Sequence, residues 1–180
     1  MLTAIVLARE DIREYDQRIT LYTKERGLVF AYAAGVKKML SKQSSHLEPG
    51  MFAYVETARA GSDKLLSAEP VASFPHIRAS FVKSVMAQYI AGLLVRTVHV
   101  GAPDRALFNF LRRFFVTLDR AAPTAVLKIF IRALWRYVAI MGYNPGTVVG
   151  RPIEHLTRWQ KFAEHHFELP MTLPFYVFVP

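Results

Sequence analysis

The sequence predicts an α+β chain: a five-stranded β-barrel followed by an α-helical domain. Three observations carry this reading. Residues 1–75 hold five strand-like runs separated by polar turns. After Pro75 the apolar residues recur with helical spacing. Charge is also divided between the two parts: residues 1–75 have 10 Lys+Arg against 9 Asp+Glu, whereas residues 76–180 have 13 against 5. Two small domains therefore fit the 180 residues, a barrel over 1–75 and a helical domain over 76–180, with 168–180 as its tail. Hydrophobic residues make up 52% and aromatic residues 13%. That is enough for a packed core and excludes a disordered chain.

Thr3–Arg9, rich in aliphatic and β-branched residues, reads as the first strand. In Asp16–Tyr22 the side chains alternate, with Arg18, Thr20 and Tyr22 on one face and Ile19 and Leu21 on the other. The polar stretch Thr23–Gly27 ends in glycine, as a hairpin requires, and Leu28–Ala34 resumes the sheet. A small, polar and basic connection follows, Gly35–Ser45. Met51–Ala60 and Lys64–Phe74 complete the set around a Gly61-Ser62-Asp63 turn. Five strands with the longest connection between the third and fourth are the outline of an OB-fold barrel.

In the second half, Ser80–His99 is a long apolar helix that Ser80 caps. Asp104 caps the next helix, Arg105–Arg120, where Leu107, Phe108, Leu111, Phe114, Phe115 and Leu118 form the buried stripe. Pro123 breaks the pattern before a third helix, Thr124–Met141, and a fourth follows over Ile153–Phe167. The tail holds two interior prolines and an apolar end, consistent with a short strand or a docked arm.

Several chemistries are excluded. With no cysteine there are no disulfides, cysteine zinc sites, iron–sulfur clusters or thiol nucleophiles. No glycine-rich phosphate loop, nucleophile elbow or catalytic acid pair is present, so neither an enzyme nor a cofactor is expected. His155, Glu164, His165, His166 and Glu168 form the one ligand-like cluster. Adjacent histidines project about 100° apart on a helix, a poor chelate, and no metal is expected. The longest uncharged run, Tyr137–Gly150, has 14 residues, short of the ~20 a membrane span needs. The first residues do not form a secretion signal, and a cytoplasmic protein with no membrane partner is expected.

The net charge of +9 points to a polyanionic partner. Lys37, Lys38 and Lys42 lie in the connection between the third and fourth strands, with no acid between Leu28 and Leu47. Loops beside the binding face of a small barrel meet the phosphate backbone. Arg18 joins them on the barrel, and Tyr32 and Tyr54 are candidate stacking platforms for bases. Phe30 and Phe52 read as core. Lys128, Arg132 and Arg136, at i, i+4 and i+8, form a basic stripe on a helix that contains no acid. Arg112 and Arg113 add to it where the helices are neighbours.

The ordered series of segments resembles the bacterial DNA repair protein RecO family. AIVLAREDIREYDQRITLYTKERGLVFAYAAGVKKMLSK resembles that family's opening strands and basic loop, and LEPGMFAYVE its next strand. AEPVASFPHIRAS resembles the crossing from barrel to helices. DRALFNFLRRFFVTLD and LKIFIRALWRYVAIMGYNP resemble its helical domain, so the likeness runs from residue 1 to about 148. The resemblance implies a non-catalytic protein that binds single- and double-stranded DNA and anneals complementary strands. It further implies help in loading RecA together with RecR, and work at the nucleoid. The family's basic loop falls on Lys37, Lys38 and Lys42. Its helical domain receives the acidic, apolar C-terminal tail of single-stranded-DNA-binding protein, for which Arg132 with Lys128 is the candidate here. Many members carry a four-cysteine zinc site after the segment matching MGYNPGTVVG, which this chain lacks. The family is also usually longer, and Arg151–Pro180 has no counterpart in it. Two other readings stay open: an adaptor whose basic helical groove grips an acidic peptide, and a general single-stranded nucleic-acid binder that takes RNA.

Overall fold

A computed structural model describes residues 1–37, 44–60, 62–144 and 151–167. The strands are β1 (Leu2–Asp11), β2 (Gln17–Thr23), β3 (Gly27–Ala33), β4 (Phe52–Ala60) and β5 (Ser62–Ala72). They close into a barrel in the order β1-β2-β3-β5-β4, with every pairing antiparallel except β3 with β5. Irregular pairing in β1 between Val6 and Ala8, and in β4–β5 at Glu56/Thr57, supplies the bends that closure requires. The β3–β5 pairing is short, Ala31 with Asp63 and Tyr32 with Lys64. Beyond it, a 3-10 turn at Ser44–Leu47 packs on β5. There His46 Nδ1 lies 3.0 Å from the Ala68 carbonyl oxygen, and Leu47 is fully buried. Arg26 adds a bidentate clasp, donating to both carboxylate oxygens of Asp63 at 2.8 and 2.7 Å.

Two apolar clusters explain the strand patterns. Inside the barrel lie Ala4, Val6, Ile19, Leu21, Ala31, Ala53 and Val55. The outward partners Ile5, Leu7, Tyr22, Leu28 and Phe52 pack instead against the helices. This is why β1 reads as a continuous apolar run rather than an alternating one: both of its faces are covered. Tyr22 shares the outward face of Arg18, yet the helices bury it completely, and burial pushes its hydroxyl up to about 12.

The helices are α1 (Pro75–Ala79), α2 (Phe81–Thr97), α3 (Arg105–Arg120), α4 (Pro123–Ile140) and α5 (Pro152–Phe167). Ser80 caps α2. Asp104 caps α3, accepting from the Ala106 and Leu107 N–H groups at 2.7 and 3.0 Å. The central helix is α2, with Met86, Ile90, Leu93 and Leu94 buried between the barrel and the other helices. Lys83, also buried, donates to the Asp119 carbonyl at 2.8 Å, while the Asp119 carboxylate accepts the Ile77 N–H at 2.9 Å. These two bonds tie α1, α2 and α3 together. The anchor of α5 is Trp159, which is fully buried, packs edge-on to Trp135 and donates to the Tyr89 hydroxyl at 2.8 Å.

The α2–α3 loop is stitched to the barrel. Gly101 N–H donates to the Leu28 carbonyl at 3.0 Å, and Leu28 pairs with Val100 in a parallel bridge. At Gly27, φ is +66°, and a Cβ there would lie 2.1 Å from the Ala102 carbonyl oxygen. Only glycine permits that approach.

Candidate nucleic-acid and partner interface

On the barrel, β2 and β3 place Arg18 directly opposite Tyr32, and Thr20 opposite Phe30. Phe30 is not a core residue as its aromatic character suggested. It points outward, 36% exposed, with the Arg18 guanidinium 5.6 Å from the ring centroid. Phe52 is buried, beneath the helices. Tyr32 is half-buried, and its hydroxyl donates to the Asp16 carboxylate, which also accepts the Gly35 N–H at 2.8 Å. Its ring edge is thereby fixed. Tyr54, 40% exposed on β4, lies opposite Thr3 and Glu69, so β5 separates it from Tyr32.

Of the three loop lysines, Lys37 is exposed and donates to Asp11 at 2.9 Å. Lys38 and Lys42 lie outside the described residues. The Lys37–Asp11 pair starts a longer chain of bonds across β1 and β2. Gln17 Nε2 donates to Asp11 at 2.7 Å, Arg9 Nε to Gln17 Oε1 at 2.9 Å, and Arg9 Nη1 to Glu48 at 2.6 Å. Hydrogen bonds from Lys37 and then Gln17 hold the Asp11 carboxyl below the usual aspartate range. Arg18 in turn is paired with Glu10. Much of the barrel's cationic charge is therefore matched locally.

The helical half differs. Lys128, Arg132 and Arg136 are all exposed along α4, as are Arg112 and Arg113 on α3, and none of the five has an acid partner among the described residues. Between α3 and α4 runs an open groove of about 470 Å³. Its edges carry Arg113, Arg132 and Arg136, and Phe110, Phe114 and Ala133 contribute to its apolar floor. Lys128 and Arg112 do not line it. Adjacent helical positions project about 100° apart, so only one of Arg112 and Arg113 turns toward α4. The floor residue that sequence reasoning passed over is Phe110. It packs against Phe114 with centroids 6.3 Å apart and against Tyr137 at 6.2 Å. Its signal was present: it lies three residues after Leu107 and four before Phe114, on one helical face.

Among the described residues no group of three or more His, Asp or Glu is placed to hold a metal ion, and no helix is long and apolar enough to cross a membrane.

Comparison with known proteins bears on these surfaces. The sequence model of the recombination protein O N-terminal family matches residues 1–74. The chain is 34% identical over 142 residues to the DNA repair protein RecO of Geobacter metallireducens, an alignment covering 78% of this chain and 57% of that protein. It is 33% identical over 144 residues to the RecO of Dehalococcoides mccartyi (79% and 56%) and 30% identical over 155 residues to that of Synechococcus sp. strain JA-3-3Ab (80% and 52%). The chain thus spans little more than half the length of these relatives.

Proposed function

The chain belongs to the DNA repair protein RecO family, and from that membership we propose that it is a DNA-binding recombination mediator without catalytic chemistry. It binds single- and double-stranded DNA, anneals complementary single strands and, with RecR, assists the loading of RecA, working in the cytoplasm at the nucleoid. The observation that best supports this reading is the set of cations on α3 and α4 that have no acid partner among the described residues, beside an apolar-floored groove. Exposed cations without acid partners gain the most from releasing counterions on a polyanion. The groove suits an acidic, apolar peptide such as the C-terminal tail of single-stranded-DNA-binding protein. Guanidinium groups at its edge take carboxylates, and the floor of Phe110 and Phe114 takes an apolar side chain. In this assignment Arg113, Arg132 and Arg136 hold the tail, and Lys128 and Arg112 add to the field at its border. Lys37, Lys38, Lys42 and Arg18 meet DNA phosphates, and Tyr32 and Tyr54 meet bases.

The test is strand annealing on bare strands and on strands coated with single-stranded-DNA-binding protein. Wild type is expected to anneal both. Arg132→Glu with Arg136→Glu is expected to lose annealing of coated strands while slowing bare strands only a few-fold. Equal effects on the two substrates would remove the tail-docking assignment. Failure of wild type on both would remove the mediator reading. Peptide binding without any DNA binding would favour the adaptor reading, which the groove also supports. Competition between RNA and DNA oligonucleotides separates a general single-strand binder.

A further inference from the structure

We infer that the cleft between the barrel and helices α1 and α2 is a pocket for one unstacked nucleobase of a bound strand; this rests on the nucleic-acid reading above. The cleft measures about 290 Å³, room for a base with its sugar, and both halves of the chain line it. Its depth is apolar, with Leu7 from β1, Phe74 before α1 and Phe115 from α3. The space exists because α2 presents alanines there, Ala87 and Ala91, instead of larger side chains.

The rim decides the ligand class. It carries Arg78, which has no acid partner among the described residues, with the amide of Gln88 and the carboxylate of Glu48. A base edge offers donors and acceptors together, and this rim answers both. An acidic side chain entering the cleft would meet Glu48 as a like charge, whereas a base edge is uncharged. Glu48 is held in place by Arg9 at 2.6 Å.

The position favours a strand as well. The bonded chain Lys37–Asp11–Gln17–Arg9–Glu48 runs from the proposed phosphate-binding loop to the mouth of the cleft. A strand that reaches the mouth of the cleft meets Arg78, which has no acid partner among the described residues and can take the phosphate beside the inserted base. Extrusion costs least from an unpaired strand.

The experiment compares the affinity of the full chain for an oligothymidine and for a fully abasic oligonucleotide of equal length. Ala91→Phe fills the cleft. Gln88→Leu, at an exposed position, changes the rim without endangering the fold. Wild type is expected to prefer the oligothymidine by at least about tenfold, the scale of stacking one base on protein. Both variants should cut that preference several-fold and leave abasic binding unchanged. If wild type binds neither oligonucleotide, the nucleic-acid reading itself fails. If both bind and the preference survives both substitutions, the cleft holds no base and the inference is overturned. Loss of binding to an acidic apolar peptide in Ala91→Phe, with both oligonucleotides unaffected, would overturn it in favour of a peptide pocket.

Discussion

The barrel and the α3–α4 face carry their cations differently. On the barrel, Arg9, Arg18, Arg26 and Lys37 are joined to Glu48, Glu10, Asp63 and Asp11. On the helices, Glu154 pairs with Arg151 and Glu164 accepts from Gln160, but the two acids nearest α3 are spent on the backbone. Asp104 caps α3, and Asp119 accepts the Ile77 N–H at the start of α1. Each capping acid satisfies a donor the helix leaves open, and neither forms an ion pair among the described residues. Net charge and available charge are therefore different quantities. The cations of α3 and α4 remain open to a partner because, among the described residues, Asp104 and Asp119 are engaged with the backbone, not only because cations are numerous.

The contrast describes one folded unit only if the halves stand or fall together, and Gly27 is where that can be broken. Gly27→Ala places a methyl group 2.1 Å from the Ala102 carbonyl oxygen, at a backbone φ of +66°. Either the hairpin turn or the α2–α3 loop must move. The expected loss of stability is more than about 3 kcal/mol, the range of severe strain at a special backbone position. Urea unfolding followed by far-UV circular dichroism and by tryptophan fluorescence measures it. Trp135 and Trp159 both lie in the helical half, so the fluorescence transition should shift together with the dichroism. A shift in dichroism alone would mean that the barrel unfolds independently and that the comparison concerns two units.

Asp119 sharpens the same contrast at a smaller scale. Asp119→Ala leaves the Ile77 N–H without its acceptor inside the α1–α2–α3 junction and is expected to cost about 1–3 kcal/mol. An exposed barrel acid such as Glu10, replaced in the same way, should change stability by less than about 0.5 kcal/mol. Thermal or urea unfolding of the two variants side by side reads the difference. Equal losses would show that Asp119 is no more structural than a surface acid.

How far this arrangement was legible in the sequence depends on how local each signal is. Arg105–Arg120 is readable to the residue, because Asp104, the apolar stripe and Pro123 all mark it from nearby. The strands are readable from alternation and turn residues. Helix α1, five residues long, is too short for a period to show. Phe30 misleads because composition does not say which side of a barrel an aromatic faces. Its register opposite Thr20, one row from Arg18, decides that. The α4 stripe is visible as i, i+4, i+8. The choice of Arg113 over Arg112, and the addition of Phe110, depend on how α3 meets α4, which no single helix specifies. The cleft between barrel and α2 joins residues from Leu7 to Phe115 and has no local signature at all. Ion pairing is hidden for the same reason. Lys37 reads as part of a free basic loop, whereas its partner Asp11 lies 26 positions away.

That pairing gives the smallest effect, and its direction is the informative part. If the barrel's cations are masked by their own acids, removing an acid should strengthen DNA binding. Asp11→Asn keeps the oxygen that accepts from Gln17 and removes the charge that holds Lys37. Affinity for single-stranded DNA is expected to rise about two- to fivefold at low salt, with the slope of log K against log salt steeper by about 0.7 for the one cation released. Mild acidification should not have this effect. The hydrogen bond from Lys37 lowers the Asp11 pKa, so the carboxylate stays ionised, and Lys37 stays engaged, until the pH falls through that lowered value below the ordinary aspartate range near about 4. Between pH 7 and 5 the wild-type pair is unchanged, and the variant's advantage over wild type should be constant. Titrating a labelled oligonucleotide at several salt concentrations and two pH values tests both parts. An unchanged or weakened affinity in Asp11→Asn would mean that Lys37 is not on the DNA path, leaving the open cations of α3 and α4 as the main polyanion surface of the described residues.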